Sequence, residues 1–223
     1  MIEAKSSYIH KKFWTWIFSR ILKKRFNKFT RIGINNLNEW ENKINKSTPL
    51  ILAGNHSSWY DAVLPVVISF SDYKFDAYAM MEDLQIIKYK FFSKIGCFSI
   101  NLKNSKSAAI SLRYTINLLN NKKRVLWIYP QGKIVNQEIR PIVCSKGISQ
   151  IISSLEKSIF IPFAIRIDYN ENEYPDIIIK FGNPIFFNKS DNFTKDKIMD
   201  IISESINLES DKLKSIVLFE NNK

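Results

Sequence analysis

A chain of 223 residues with 45% hydrophobic and 13% aromatic side chains is long and apolar enough for one globular domain, which excludes a disordered or fibrous polypeptide. Its 33 basic residues against 21 acidic ones leave a net charge of +12, which favours anionic partners: nucleic acid, an anionic membrane surface, or acidic carriers and nucleotides. The two cysteines, Cys97 and Cys144, follow no metal spacing and form no cluster with the two histidines, so buried, reduced thiols in a cytosolic compartment are expected and no metal site is.

Residues 1 to 12 are polar and basic and are expected to fray at the start. Phe13, Trp14, Ile17, Phe18, Ile21 and Leu22 then recur at helical spacing, between Lys11 and Lys12 on one side and Lys23, Lys24 and Arg25 on the other. Arg20 interrupts a run already short of the about 20 apolar residues that a bilayer span needs. No small-residue cleavage site follows, so a signal peptide is not expected. Aromatic residues on one side with lysines around them predict a helix lying in a membrane interface, and the bland reading is a helix packed on the domain's own core. Residues 1–29 are therefore read as a basic amphipathic membrane-interface segment, and 30–223 as the main domain.

Further along, the pattern predicts a strand over 30–34, a polar helical connection over 37–45, and a strand over 50–54. A mostly apolar helix containing Pro65 follows over 57–70, then a strand over 75–80, helical periodicity over 82–94 and a strand over 97–102. An amphipathic helix over 105–120 leads into 125–129, whose continuous apolar character is that of a central strand. A helix over 145–156, strands over 159–167 and 177–181, a turn at Gly182-Asn183-Pro184, and helices over 194–208 and 211–219 complete the chain. Helices interspersed with short strands predict an α/β fold, a mixed sheet flanked by helices.

Directly behind the strand over 50–54 stands Asn55-His56-Ser57-Ser58-Trp59-Tyr60-Asp61. A neutral imidazole held by a carboxylate is a general base for taking a proton from a hydroxyl. Residues five apart in a helix lie about 140° apart around its axis. His56 and Asp61 can therefore meet only if His56 sits in the strand-to-helix corner and Asp61 in the helix beyond. Ser57 and Ser58 lie in no Gly-x-Ser-x-Gly elbow, so helix capping, not nucleophilic attack, is expected of them.

This stretch resembles the Asn-His-x-x-x-x-Asp motif of the glycerolipid acyltransferases. Further resemblances follow in that family's order: Gly96-Cys97-Phe98-Ser99-Ile100-Asn101 resembles its second motif, and Val125 to Gly132 its third, usually an apolar strand followed by Phe-Pro-Glu-Gly-Thr-Arg. Ile159 to Ala164 resembles its fourth, and Lys146-Gly147 a Lys-Gly usually found between the last two. The resemblance spans roughly residues 30 to 190. It implies a glycerol-phosphate-acyltransferase-like fold, with 30–223 as the acyltransferase domain and the N-terminal amphipathic helix on the membrane surface. It also implies acyl transfer from acyl-coenzyme A or acyl-carrier protein, a co-substrate and not a bound cofactor, to a hydroxyl. His56 would act as base, Asp61 would fix its tautomer, and no covalent acyl-enzyme would be needed. Substrate binding would fall to Asn55, Phe98, Ile100, Pro130, Gln131 and Gly132 of these motifs, and the cations near them, Lys103, Lys133, Arg140 and Lys146, or the main-chain amides around Gly132, are candidates to hold a phosphate.

The chain departs from the family pattern at the acceptor end. Gln131 replaces the usual glutamate, Lys133 and Ile134 replace Thr-Arg, and Asn101 or Leu102 stands where an arginine is expected. Arginine grips phosphate through a planar fork that lysine does not reproduce. The expected acceptor is therefore a lysophospholipid, a glycolipid or another lipid alcohol. A strict 1-acylglycerol-3-phosphate acyltransferase and a non-catalytic lipid-binding protein of the same fold are the alternatives. The expected partners are a membrane surface rich in anionic lipid, on its cytoplasmic side, together with the acidic donor and the lipid acceptor. Nothing in the chain has the zinc spacing, aromatic signature or recognition helix of a nucleic-acid binder.

Overall fold

A computed structural model describes residues 1–43 and 47–220. The strands are β1 (Phe29–Ile32), β2 (Leu50–Gly54), β3 (Ala77–Glu82), β4 (Cys97–Ile100), β5 (Val125–Ile128), β6 (Lys157–Asp168), β7 (Asp176–Phe181) and β8 (Ile185–Asn188). The helices are α1 (Tyr8–Arg25), α2 (Asn35–Lys43), α3 (Leu64–Val67), α4 (Asp83–Lys88), α5 (Phe91–Lys94), α6 (Ser105–Leu119), α7 (Gly147–Ser154) and α8 (Lys195–Glu220). The eight strands form one mixed sheet in the order β1-β7-β6-β2-β5-β3-β4, with β8 beside the first half of β6. Strands β2, β3, β4, β5 and β6 run parallel along the ladder, and β7 and β8 run antiparallel to β6.

The continuous apolar runs of β2 and β5 are those of strands covered on both faces. Leu50 and Leu52 join Val125, Trp127, Ile161 and Phe163 under α1, α3 and α5. Ile51 and Ala53 join Leu126, Ile128 and Phe160 under α6, α7 and α8. The chain moves from β2 through α3 to β3 and on to β4, then turns back through α6 to β5 and through α7 to β6. Strands β2 and β5 are therefore neighbours whose connections leave to opposite faces. In parallel α/β sheets that switch point opens a crevice beyond the carboxyl ends of the strands.

One side of α1 is core: Thr15, Phe18 and Leu22 are buried, and Trp14 stacks on Phe91 with ring centroids 3.6 Å apart. The other side exposes Ile9, Phe13, Trp16 and Arg20, four residues at helical spacing. No helix among the described residues is long and apolar enough to cross a membrane.

Several expectations are corrected. The first residues are tied down: Ile2 and Ser99 exchange hydrogen bonds along the β4 edge, and Lys5 and Ser7 donate their amides to Ser93 and Lys94. The helix expected over 57–70 is instead a 3₁₀ turn (Trp59–Ala62), the short α3 and a π turn (Ile68–Asp72). Asp61 takes the Ser57 and Ser58 amides, and Pro65 and the β-branched run behind it weaken a regular helix. The segment 82–94 breaks into α4 and α5 at Tyr89 and Lys90, whereas the two C-terminal helices are one helix of 26 residues. Nothing interrupts that helix at Glu209 and Ser210, because both are buried and Glu209 pairs with Lys180. Strand β8 is too short to show a period of two in sequence. Of the helix expected over 37–45, residues 44 and 45 lie outside the described residues.

Candidate active site

The site is built where β2 stops. The ladder ends at Gly54, opposite Phe163 of β6, and a Cβ on Gly54 would lie 2.3 Å from the Phe163 carbonyl oxygen. The next residue pairs with its side chain. Asn55 Nδ2 donates to Ile165 O at 2.9 Å, and the Ile165 amide donates to Asn55 Oδ1 at 2.7 Å. His56 follows at the corner, and the chain turns into the 3₁₀ segment. Ser58 caps it, its Oγ accepting the Tyr60 amide at 3.1 Å.

This turn brings Asp61 back beneath His56. Asp61 is fully buried, and its Oδ2 accepts from His56 Nδ1 at 2.8 Å and from the Ser57 and Ser58 amides at 2.6 and 2.8 Å. A proton on Nδ1 is the tautomer that such a carboxylate selects, and Nε2 is then the nitrogen available to a ligand. Tyr129 covers the pair from β5. Its ring stacks on the imidazole with centroids 4.7 Å apart, and its hydroxyl donates to the Asp61 carbonyl at 2.5 Å. Burial, with the Asp61 charge adding to it, pushes the Tyr129 phenol well above its ordinary value, so it stays a donor.

The loop from Tyr129 to Lys146 straps this corner down. Its base closes through the Ser145 amide on Pro130 O at 2.8 Å. Gln131 Oε1 accepts the His56 amide at 2.7 Å, and the Val135 amide donates to His56 O at 2.8 Å. Farther on, the Gln137 amide pairs with both main-chain groups of Ile167, as Asn55 does with Ile165. Arg140 Nε donates to Asp211 of α8 at 2.9 Å.

In front of His56 lies a cavity of about 520 Å³, within the usual range of ligand sites. Its walls come from both layers at the switch point: Trp59 and Pro65 near α3, Met80 and Met81 of β3, Leu112 of α6, Ile128 of β5 and Ile148 of α7. They are predominantly apolar, with His56, Glu82, Gln85, Tyr89, Tyr129, Lys133 and Ser145 among the groups that can hold or move a proton or fix a polar substrate. The His56 side chain is 21% exposed and thus reachable, whereas Asp61 is sealed beneath it.

A family model described as Acyltransferase matches residues 35–166, more than half of the chain, and takes in the whole of this corner. The chain belongs to the acyltransferase family, that of the glycerolipid acyltransferases. It is an acyltransferase. No curated protein matches it.

In this acyltransferase the structure brings His56, Asp61, Ile100, Pro130, Gln131, Gly132 and Lys133 together at or against the cavity. It places other expected substrate residues elsewhere. Asn55 is spent on β6, Phe98 is buried against Tyr114, and Arg140 anchors the strap to α8. Lys103 and Lys146 are exposed neighbours of the lining residues Leu102, Ser145 and Gly147. Tyr129, Glu82 and Tyr89 join the site without standing in the sequence as expected site residues. Tyr129 was legible as the aromatic end of an apolar strand leading into Pro130. Glu82 and Tyr89 reach the cavity only because β3 lies beside β5, which no sequence spacing records.

Proposed function

We propose that this acyltransferase moves a fatty acyl group from acyl-coenzyme A or acyl-carrier protein to the hydroxyl of a lysophospholipid, glycolipid or related lipid alcohol at a membrane surface. The observation that carries the reading is the 2.8 Å contact between His56 Nδ1 and the sealed Asp61, with the imidazole at an apolar cavity. His56 Nε2 takes the proton of the acceptor hydroxyl as its oxygen attacks the thioester carbonyl carbon. Asp61 stabilises the imidazolium so formed, which can add cation–π attraction to the Tyr129 ring. Collapse of the tetrahedral adduct breaks the C–S bond, and the departing thiolate takes the proton back from His56. A thioester is already activated, so the acceptor oxygen serves as the nucleophile.

The donor is acidic and the protein strongly basic, with Lys133 in the cavity wall and Lys103 and Lys146 beside it. The lack of an arginine among the described residues that line the cavity supports an acceptor other than a phosphate monoester. Membrane contact is supported by the exposed stripe Ile9, Phe13 and Trp16 on α1, flanked by Lys12, Lys23 and Lys24, by exposed Leu102 and Ile134 in the cavity wall, and by exposed Leu84 and Ile87 on α4 next to the lining residue Gln85.

The test is acylation by the purified chain in vesicles. Labelled acyl-coenzyme A and acyl-carrier protein would each be offered with a panel of lysolipids and glycolipids, with His56→Ala alongside. Transfer to a neutral or diester lipid that disappears in the variant is expected. Strong preference for lysophosphatidate over every other acceptor would overturn the acceptor class, and full transfer by His56→Ala would overturn the base.

A further inference from the structure

We propose that Gln131 is a positioning residue for His56: its side-chain oxygen and the Val135 amide clamp the His56 main chain from both sides, so that the imidazole stays seated on Asp61 and open to the cavity. The proposal deepens the reading of His56 as the base and rests on it.

His56 needs such a clamp because it lies beyond the ladder. The pairing of β2 with β5 ends at Ala53 and that with β6 at Gly54, so no strand neighbour supplies the His56 main chain with partners. The strap supplies both, through Gln131 Oε1 to the amide at 2.7 Å and the Val135 amide to the carbonyl at 2.8 Å. The Gln131 side chain is delivered by a tight turn. The Gly132 amide donates to Tyr129 O at 3.0 Å, and Gly132 has a φ of +69°, the left-handed region that glycine enters freely.

The two clamp points have different chemistry. The Val135 contact is main chain to main chain and survives any substitution except proline. The Gln131 contact depends on a side-chain oxygen at one reach. Between the two points, Gly132, Lys133 and Ile134 line the cavity, so the strap that holds the base also forms part of its wall. A residue that misplaces a reacting group by about 1 Å costs up to about a hundredfold in rate without touching substrate itself.

The experiment compares the wild-type full chain with Gln131→Met, which keeps length and loses the acceptor, and Gln131→Glu, which keeps an acceptor oxygen. Where Gln131→Met does not fold, Gln131→Asn, one methylene shorter, takes its place. The first readout needs no substrate. Imidazole ¹⁵N signals report the tautomer and the Nδ1 hydrogen bond, and with only His10 and His56 in the chain, His56→Ala assigns them. The second is transfer from palmitoyl-coenzyme A to lysophosphatidylglycerol. Gln131→Met is expected to lose the single hydrogen-bonded tautomer and to lower kcat about tenfold or more at unchanged KM, and Gln131→Glu to retain both. A wild-type His56 signal in Gln131→Met, or equal losses in the Met and Glu variants, would overturn the clamp. Full transfer by His56→Ala would overturn the base itself, and with it the catalytic half of the proposal.

Discussion

Asn55 and Ile165 form a two-membered amide pair across the end of the sheet, with both main-chain groups of Ile165 satisfied by one side chain. The pair continues the β2–β6 ladder by one step after β2 has ended, and it sets the direction in which the chain reaches His56. Asn55→Leu would leave a buried N–H and a buried carbonyl without partners. A loss of about 2–4 kcal/mol is expected, read as a lower urea midpoint at unchanged slope.

Asp61→Asn keeps an oxygen for the Ser57 and Ser58 amides but removes the charge beneath the imidazole. The variant is expected to fold and to lose about a hundredfold or more in kcat, with a smaller change in KM. Asp61→Ala, by contrast, strips three donors of their acceptor and should also lower the melting temperature.

Gly54→Ala drives a methyl group into the Phe163 carbonyl and ring, which stand 2.3 and 2.4 Å from the Cβ position. Strands β2 and β6 must part next to the corner that carries His56. A cost of about 1–3 kcal/mol in unfolding stability is expected, together with loss of acyl transfer, since the displaced segment carries His56.

Cys97 walls the cavity, and burial pushes its thiol up from 9.0 to about 12. At pH 8 it should resist maleimide in the folded protein and react after unfolding. Because the folded value is the higher one, its contribution to stability is complete below the ordinary thiol value and is lost as pH rises towards 12. Cys97→Ala should remove part of the decline in urea stability on going from pH 8 to pH 11.

Trp16 and Phe13 are exposed on α1, whereas Phe18 and Leu22 are buried on its other side. Trp16→Ser with Phe13→Ser is expected to weaken binding to anionic vesicles by about tenfold or more while leaving the urea midpoint unchanged. Phe18→Ala should do the opposite, costing about 3–5 kcal/mol of stability. Unchanged vesicle binding by the double variant would remove α1 from the proposed membrane contact.

The alternation of layers was legible wherever a segment carries its own period. The apolar runs at 50–54 and 125–128 and the amphipathic 105–119 lie within a few residues of where they were expected. The segment 57–72 was not legible, because its apolar content reads as a helix while its hydrogen bonds go to the side chains of Ser58 and Asp61. The site divides in the same way. His56 and Asp61 are five residues apart and announce themselves, but the carboxylate that the Arg140 guanidinium pairs with is 71 residues away, so a cation expected at the substrate ties the strap to α8.

By itself the sequence determined the local pattern: one imidazole and one carboxylate at a strand-to-helix corner, a set of apolar strands, and a net charge of +12. Those are local properties of residue type and short spacing. Only the tertiary structure decided which groups surround the imidazole. Tyr129, Gln131 and Val135 reach His56 because β2 and β5 are neighbours at the point where their connections part to opposite faces. That adjacency follows from burying both faces of the sheet, a condition on the whole chain and not on any segment of it.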